Sequence, residues 1–162
     1  MRRELGHGFE LDDDRGRLDV AAIHAYISGE SYWGRGRPRE LVQLAIDGSR
    51  RVVGLYHRGA QVGFARAVSD GATVAYLADV YVLAEHRGRG LGLALVREMI
   101  EGERDDGGRG ARSPAAGPGG RDVRWLLHTA DAQGLYAKLG FTTGPPQYPL
   151  MERTRDGGGE GG

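Results

Sequence analysis

The stretch Ala75–Met99, AYLADVYVLAEHRGRGLGLALVREM, predicts a strand, a glycine-rich turn and a helix in direct succession. Ala75–Leu83 is almost continuously apolar and rich in β-branched and aromatic residues, which is typical of a buried strand. After the turn His86–Gly92, apolar residues recur at helical spacing, at Leu91, Ala94, Leu95 and Met99. A glycine-rich turn that enters a helix directs backbone N–H groups and the positive end of the helix dipole at one point. The stretch therefore predicts an anion site, most simply a phosphate site.

The glycine pattern excludes the two commonest phosphate loops. A Walker A loop needs Gly-Lys-Ser/Thr, and the only lysine of the chain is Lys138. The dinucleotide fingerprint needs G-x-G-x-x-G, whereas Gly88, Gly90 and Gly92 form G-x-G-x-G. What remains is R-x-x-G-x-G, beginning at Arg87, directly after a strand that ends in V-x-V.

This arrangement resembles the coenzyme A pyrophosphate loop of the GCN5-related N-acetyltransferase (GNAT) family. A second segment, Asp131–Phe141 with the sequence DAQGLYAKLGF, resembles the L-Y-x-K-L-G-F signature that follows the fifth strand in that family. Two motifs in the right order are far more specific than either motif alone. The resemblance covers roughly Phe9–Glu152.

Composition sets further limits. The chain has 162 residues, which fits a single domain, and we place that domain at residues 7–152. Lysine plus arginine and aspartate plus glutamate both number 22, so the absence of net charge argues against a nucleic-acid partner. Cysteine is absent, which excludes disulfides and thiolate metal sites, and no His/Asp/Glu spacing predicts a metal. The absence of cysteine leaves the compartment open but favours the cytoplasm. The N-terminus lacks a signal-peptide core and no apolar run approaches the ~20 residues of a membrane helix, so no membrane partner is expected.

The pattern of elements predicts an α/β fold with a mixed sheet. Phe9–Asp14 is expected to form a first, edge strand, and helices are expected after Asp19 and Pro38. Three antiparallel strands follow, over 51–56, 61–68 and 73–83, and a parallel strand is expected at Val123–Thr129. A short helix at Gln133–Leu139 and two closing strands at 141–143 and 148–152 complete the sheet. The glycine-rich segments 103–121 and 153–162 are predicted to be a flexible insertion and a disordered tail.

The resemblance implies the acyl-CoA N-acyltransferase fold, in which the fourth and fifth strands splay apart and helices cover both faces of the sheet. The pantetheine arm of acetyl-CoA then fills the gap like a strand and takes up unpaired backbone groups. On this basis the predicted cofactor-binding residues are Tyr81, Val82, Arg87, Gly88, Arg89, Gly90, Leu91, Gly92 and Asp131. Asp131 stands where the family often has an asparagine, and its alternative role is to cap the helix that follows. The alternative for Arg89 is a solvated surface residue.

The catalytic residues are predicted partly from the resemblance and partly from placement. The resemblance makes Tyr136 the acid that protonates the leaving thiolate; its alternative is a core tyrosine. Asp79 and Glu30 are candidate general bases, and Asp79 is equally well interpreted as a carboxylate paired with an arginine. Tyr32 and Trp33 are expected to form an aromatic wall for the amine, or merely to pack their loop on the sheet.

The sequence thus predicts an acetyl-CoA-dependent N-acetyltransferase, with acetyl-CoA as cosubstrate and no metal. The acceptor is a primary amine of an unidentified small molecule or peptide, which attacks the thioester directly in a ternary complex. The alternatives are a non-catalytic acyl-CoA-binding sensor or interaction module, and a protein that holds a nucleotide in the loop. Because homodimers are common among relatives, a homodimer is a possible assembly.

Overall fold

The computed structural model describes residues 1–102 and 123–144 together with Met151. The described residues form a six-stranded sheet in which the strands lie in chain order. The pairs are antiparallel as far as the fifth strand, and the fifth and sixth strands are parallel. The strands are β1 (Arg2–Gly6), β2 (Phe9–Asp12), β3 (Arg51–His57), β4 (Ala60–Ser69), β5 (Val74–Val82) and β6 (Arg124–Leu126).

Four α-helices accompany the sheet in the described part of the chain: α1 (Val20–Ala25), α2 (Arg39–Asp47), α3 (Leu91–Glu101) and α4 (Gln133–Ala137). The Asp19 side chain accepts a hydrogen bond from the Ala22 N–H, as predicted for an N-cap, and Gly48 ends α2. After α1 the chain continues as a π-helical turn, Tyr26–Glu30, so the helical stretch ends where the sequence indicated.

The two faces of the sheet carry different helices. On one face α3 and α4 pack Leu95, Met99 and Tyr136 against apolar side chains of the strands. On the other face α1, the π-helical turn and α2 cover Val52, Phe64 and Tyr81 with Ile23, Ile27, Val42 and Ile46. Both apolar faces of the sheet are therefore buried, which agrees with the expected class of fold.

The prediction that Phe9–Asp14 forms the edge strand was wrong. The strand β2 lies between β1 and β3, and β1 is the edge. Four of the five residues of β1 are exposed, so β1 lacks the alternating apolar pattern that identifies a half-buried strand. It is held by backbone pairing and by charge, since Arg2 forms an ion pair with Glu10 of β2. The additional strand makes the expected fourth and fifth strands β5 and β6.

The C-terminal part is less regular than predicted. The strand expected at Val123–Thr129 is reduced to Arg124–Leu126, although its parallel pairing with β5 is confirmed. No strand forms at Phe141–Thr143, whose residues follow the turn at Gly140 without regular pairing. The predicted insertion 103–121, the tail 153–162 and, except for Met151, the strand 148–152 lie outside the described residues.

Candidate active site

The strands β5 and β6, which are the last two of the described sheet, separate part-way along β5. Their pairing ends with Tyr76 opposite Leu126, and β5 then continues to Val82 while the chain after Leu126 leaves the strand conformation. Beyond this point β5 is hydrogen-bonded only to β4 within the described part of the chain. We call the resulting opening the wedge; along it, one edge of β5 has no partner strand among the described residues.

A glycine loop stands at the end of β5 beside the wedge. Gly88 and Gly90 both have φ of +75°, a conformation that residues with a Cβ adopt only at a cost. A Cβ at either position would meet nothing within 4 Å, so backbone conformation, not crowding, accounts for these glycines. Gly90 precedes α3, and no side chain caps that helix. The first N–H groups of α3 therefore remain available for an anion.

The remaining residues of the loop have different surroundings. A Cβ at Gly92 would lie 3.1 Å from Leu135 Cδ1, so this glycine also permits α3 to approach α4. Leu91 is buried in the core and has only its backbone to offer to a ligand. The exposed Arg89 lies with its guanidinium 6.0 Å from the ring of Phe9.

Arg87 folds back on the strand that precedes it. Its Nε donates to the Val82 carbonyl at 2.8 Å, and its Nη2 donates to the Tyr26 hydroxyl at 3.0 Å. The Tyr26 ring stacks on Tyr81, with 3.9 Å between the ring centroids. Burial raises the pKa of both phenols, so both stay protonated at neutral pH. Arg87 thus ties the glycine loop to the helical turn that precedes the aromatic loop.

The strand β5 contains a bulge at the predicted reaction site. Phe64 pairs with Tyr81 and Arg66 pairs with Ala78, so Asp79 and Val80 together face the single Ala65. Asp79 has φ of +50°, which is strained for a residue with a Cβ but tolerated by aspartate. Bulges are enriched beside active sites, where they redirect a side chain.

The Asp79 carboxylate is almost completely enclosed by donors. Arg66 Nε donates to Oδ2 at 2.6 Å, Arg37 Nη1 lies 3.1 Å from both oxygens, and Trp33 Nε1 donates to Oδ1 at 3.0 Å. Burial alone would raise the pKa of Asp79, but the guanidinium groups of Arg66 and Arg37 outweigh burial and lower it. A carboxylate with a lowered pKa is a weak base, so these contacts favour the role of an arginine-paired carboxylate.

Tyr136 projects from α4 into the core beside the wedge. It is 8% exposed and makes an edge-to-face contact with Phe141, with 5.7 Å between the ring centroids. Burial, followed by the influence of Tyr32 and Asp131, raises the pKa of Tyr136 to about 12. Asp131 itself is exposed, and the alternative role proposed for it was wrong, because Ala132 is the N-cap of α4 and makes no side-chain capping bond.

The loop Ser31–Gly34, here called the aromatic loop, crosses the wedge. Tyr32 accepts a hydrogen bond from the Ala130 N–H, beyond β6, at 2.9 Å, while Trp33 binds Asp79 on β5. The two rings meet edge to face, with 4.9 Å between their centroids. Tyr32 is 54% exposed and Trp33 37% exposed, so the rings present apolar surface at the mouth of the site. Tyr32 and Trp33 therefore pack their loop on the strands, and this packing leaves ring surface open for the predicted contact with the amine.

The other candidate base, Glu30, lies at the end of the π-helical turn and is exposed. It forms no ion pair among the described residues, and it lies close enough to Tyr26 and Tyr81 to contribute to the raised pKa of each. Sequence reasoning missed Tyr26, Arg37 and Arg66. Of these three, only Arg66 could have been noticed in the sequence, because it is an arginine inside an otherwise apolar strand.

Among the described residues, no group of three histidine, aspartate or glutamate side chains is placed to hold a metal ion. Within those same ranges, none of the helices combines the length and the apolar character needed to cross a bilayer.

Comparison with known proteins agrees with this geometry. The model of the acetyltransferase (GNAT) domain matches residues 47–143, which include β3, β4, β5, the glycine loop and Tyr136. A Gibberella zeae protein with an acetyltransferase name is 32% identical over 114 residues, covering 57% of this chain. The match spans 64% of that relative's own length.

Solved structures have the same architecture. A GNAT protein of Xanthomonas campestris pv. campestris is 42% identical, with a TM-score of 0.72 and coverage of 90% of this chain and 92% of its own. A GNAT acetyltransferase of Brucella melitensis, solved in complex with acetyl-CoA, is 18% identical, with a TM-score of 0.59 and 85% coverage of both chains. Because the family model covers more than half of the sequence, the chain belongs to the GNAT family of acetyltransferases.

Proposed function

We propose that this protein is an N-acetyltransferase that moves the acetyl group of acetyl-CoA to an amine by direct attack in a ternary complex. The observation that carries the proposal is the combination of the wedge with the uncapped, glycine-led N-terminus of α3. The wedge binds the extended, peptide-like pantetheine arm, and the N-terminus of α3 binds the pyrophosphate attached to that arm. The acetyl-CoA complex of the Brucella melitensis relative supports the choice of cosubstrate.

The main task of the protein in this reaction is to hold the amine and the thioester in the correct relative position. The neutral amine nitrogen attacks the thioester carbonyl carbon, the C–S bond breaks, and the sulfur leaves as a thiolate that takes up a proton. Holding both substrates in line removes much of the entropic barrier, and a backbone N–H near Tyr81 stabilises the oxyanion. Tyr136 is the donor to the thiolate, since its raised pKa keeps the phenol protonated.

The proton released by the attacking amine needs an acceptor. Asp79 is occupied by Arg37, Arg66 and Trp33, so we assign it to holding the aromatic loop in place. Glu30 is exposed and forms no ion pair among the described residues, so we assign the role of proton acceptor to its carboxylate. It accepts the proton directly or through water.

Titration calorimetry with acetyl-CoA and with ATP tests the first half of the proposal. We expect saturable binding of acetyl-CoA and no competition from ATP; lack of binding at hundreds of micromolar would refute the proposal. The second half is tested by thiol release over a panel of amines. Binding without any transfer would favour the sensor module instead of the enzyme.

A further inference from the structure

Two arginines share one carboxylate beneath Trp33. Arg66 and Arg37 both bind Asp79, which leaves a formal excess of one positive charge at this point of the site. The Asp79 side chain is 4% exposed, the Arg66 side chain 13% and the Arg37 side chain 22%. Arg37 is therefore the member of the trio that an incoming molecule reaches most easily.

Arg37 uses only part of its hydrogen-bonding capacity. Its Nη1 binds Asp79, while its Nε and Nη2 make no hydrogen bond within residues 1–102 and 123–144. A guanidinium with free donors along one edge matches the two oxygens of a carboxylate.

The position of Arg37 is fixed by its surroundings. Its carbonyl oxygen lies 3.1 Å from His24 Nε2 on α1, which holds the backbone. A Cβ on Gly34 would lie 3.3 Å from Arg37 Cζ, so the guanidinium packs directly against the aromatic loop. A cation held in this way loses little further freedom when an anion binds it.

The trio lies on the side from which the acceptor must come. In the proposed function the cofactor fills the wedge, so the acceptor approaches past the aromatic loop, over Trp33 and toward the bulge of β5. The other charged groups at this mouth are Glu30, Asp131 and Arg87. The two carboxylates are exposed and close enough to Tyr26 to raise its pKa, while Arg87 is engaged by Tyr26 and Val82.

We propose that Arg37 binds a carboxylate of the acceptor, so that the acceptor is an amino acid or a closely related carboxylate-bearing amine. Its amino group, positively charged in solution, is drawn to the exposed carboxylates at the mouth, and its carboxylate pairs with the guanidinium that Asp79 only half neutralises. A polyamine or an aminoglycoside has no carboxylate that Arg37 could bind, and it would bring a further positive charge close to Arg37 and Arg66. This inference rests on the proposed function and narrows its substrate class.

Matched acceptors test the inference. Thiol release from saturating acetyl-CoA is measured for the standard amino acids and for their carboxamides and decarboxylated amines, at equal concentrations of the neutral amine. We expect at least one amino acid to exceed its uncharged partners about tenfold or more in kcat/KM, the factor for one charge-assisted hydrogen bond. Arg37→Gln should remove this preference mainly through KM, and Arg37→Lys should restore it in part.

Arg39→Gln is the matched control, because Arg39 is exposed on the next turn of the chain and makes no ion pair among the described residues. It should keep the full preference. The inference fails if carboxamides or simple amines are the better acceptors, if no carboxylate-bearing amine is acetylated, or if Arg37→Gln keeps the preference. Acetyl-CoA binding with turnover of simple amines would leave the proposed function intact, whereas loss of acetyl-CoA binding would remove both.

Discussion

A substitution of Tyr136 tests most directly whether a phenol assists the leaving thiolate. The pKa of about 12 keeps the Tyr136 phenol protonated over the working pH range. Because an alkyl thiol has a pKa of about 8.5, the phenol is the weaker acid and acts first as a hydrogen-bond donor to the leaving sulfur. Tyr136→Phe should lower kcat by about a hundredfold, leave the acetyl-CoA dissociation constant nearly unchanged, and leave the shape of the pH–rate profile below about pH 10 as in the wild type.

A second buried tyrosine provides the control. The pKa of Tyr56 is also raised to about 12 by burial, but Tyr56 lies under the guanidinium of Arg17 and belongs to β3, which β4 separates from β5. Tyr56→Phe should retain full turnover. Equal rates for Tyr136→Phe and the wild type would show that another group serves the thiolate.

Asp79 gives a prediction about stability and pH. Asp79→Asn keeps an acceptor for Trp33 and tolerates the positive φ, but it leaves Arg37 and Arg66 without their negative partner. Breaking a buried ion pair in this way should cost about 3 kcal/mol in the free energy of unfolding at neutral pH. Since the folded-state pKa lies below the ordinary value of 3.8, the wild type loses this advantage as the pH falls through the folded-state pKa.

Thermal or urea unfolding of both proteins between neutral and acidic pH measures this difference. The gap between wild type and Asp79→Asn should be widest near neutrality and should shrink at the acid end. A gap independent of pH would mean that Asp79 stabilises the fold by its shape or its hydrogen bonds and not by its charge.

At the scale of elements, the glycine loop and α3 act as one unit. Gly88→Ala and Gly90→Ala each force a Cβ into a left-handed conformation at a cost of about 1–2 kcal/mol. Each also places a methyl group where the backbone should approach the pyrophosphate. We expect both variants to bind acetyl-CoA at least tenfold more weakly by calorimetry, the equivalent of about 1.4 kcal/mol, with a modest decrease in melting temperature.

Gly59 separates the two effects. It has φ of +86° in the turn between β3 and β4, and a Cβ there would also meet nothing within 4 Å. Gly59→Ala should therefore suffer a similar loss of stability with no loss of acetyl-CoA affinity. If all three variants bind acetyl-CoA as the wild type does, the loop does not hold the pyrophosphate.

The elements also show which features a sequence can disclose. The strand β5, the glycine loop and α3 were predictable because each has its own pattern in the sequence. The strand is a continuous apolar run, the loop has closely spaced glycines, and the helix has apolar residues at helical spacing. The bulge at Asp79 was not, because its signal is a single polar residue whose partners, Arg37 and Arg66, are brought to it by the loop before α2 and by β4. Patterns within a short segment predict the structure of that segment. The contact of Asp79 with Arg37 and Arg66 forms only when the sheet and the loop before α2 are folded.

The same distinction holds for the whole molecule. The alternation of apolar strands and amphipathic helices was enough to predict a mixed sheet covered on both faces, and the parallel pairing of β5 and β6 was confirmed. The edge strand β1 was missed because four of its five residues are exposed. Backbone pairing with β2 and the ion pairs of its arginines hold this strand, and neither leaves a periodic pattern in the sequence.

Glu98 connects that edge strand to α3 and, through Arg51, to β3. It is a 2% exposed carboxylate on α3, with Arg3 of β1 at 3.0 Å and Arg51 of β3 at 3.3 Å. Arg51 also lies 3.3 Å from Asp13, beyond the end of β2. Burial, only partly offset by Arg3 and Arg51, raises the pKa of Glu98. The group therefore ties three separate segments to one helix at a position that the helical pattern alone would place outside the core.

Glu98→Ala should lower the free energy of unfolding by about 1–3 kcal/mol, because it removes one of the two carboxylates that contact Arg51 and releases Arg3, while Asp13 still contacts Arg51. Glu101→Ala, an exposed glutamate on the same helix, should stay within about 0.5 kcal/mol of the wild type. At a temperature where both variants are folded, acetyl-CoA affinity should match the wild type, since the glycine loop is at the other end of α3. Weaker cofactor binding in folded Glu98→Ala would show that this ion pair also sets the position of α3 at the wedge.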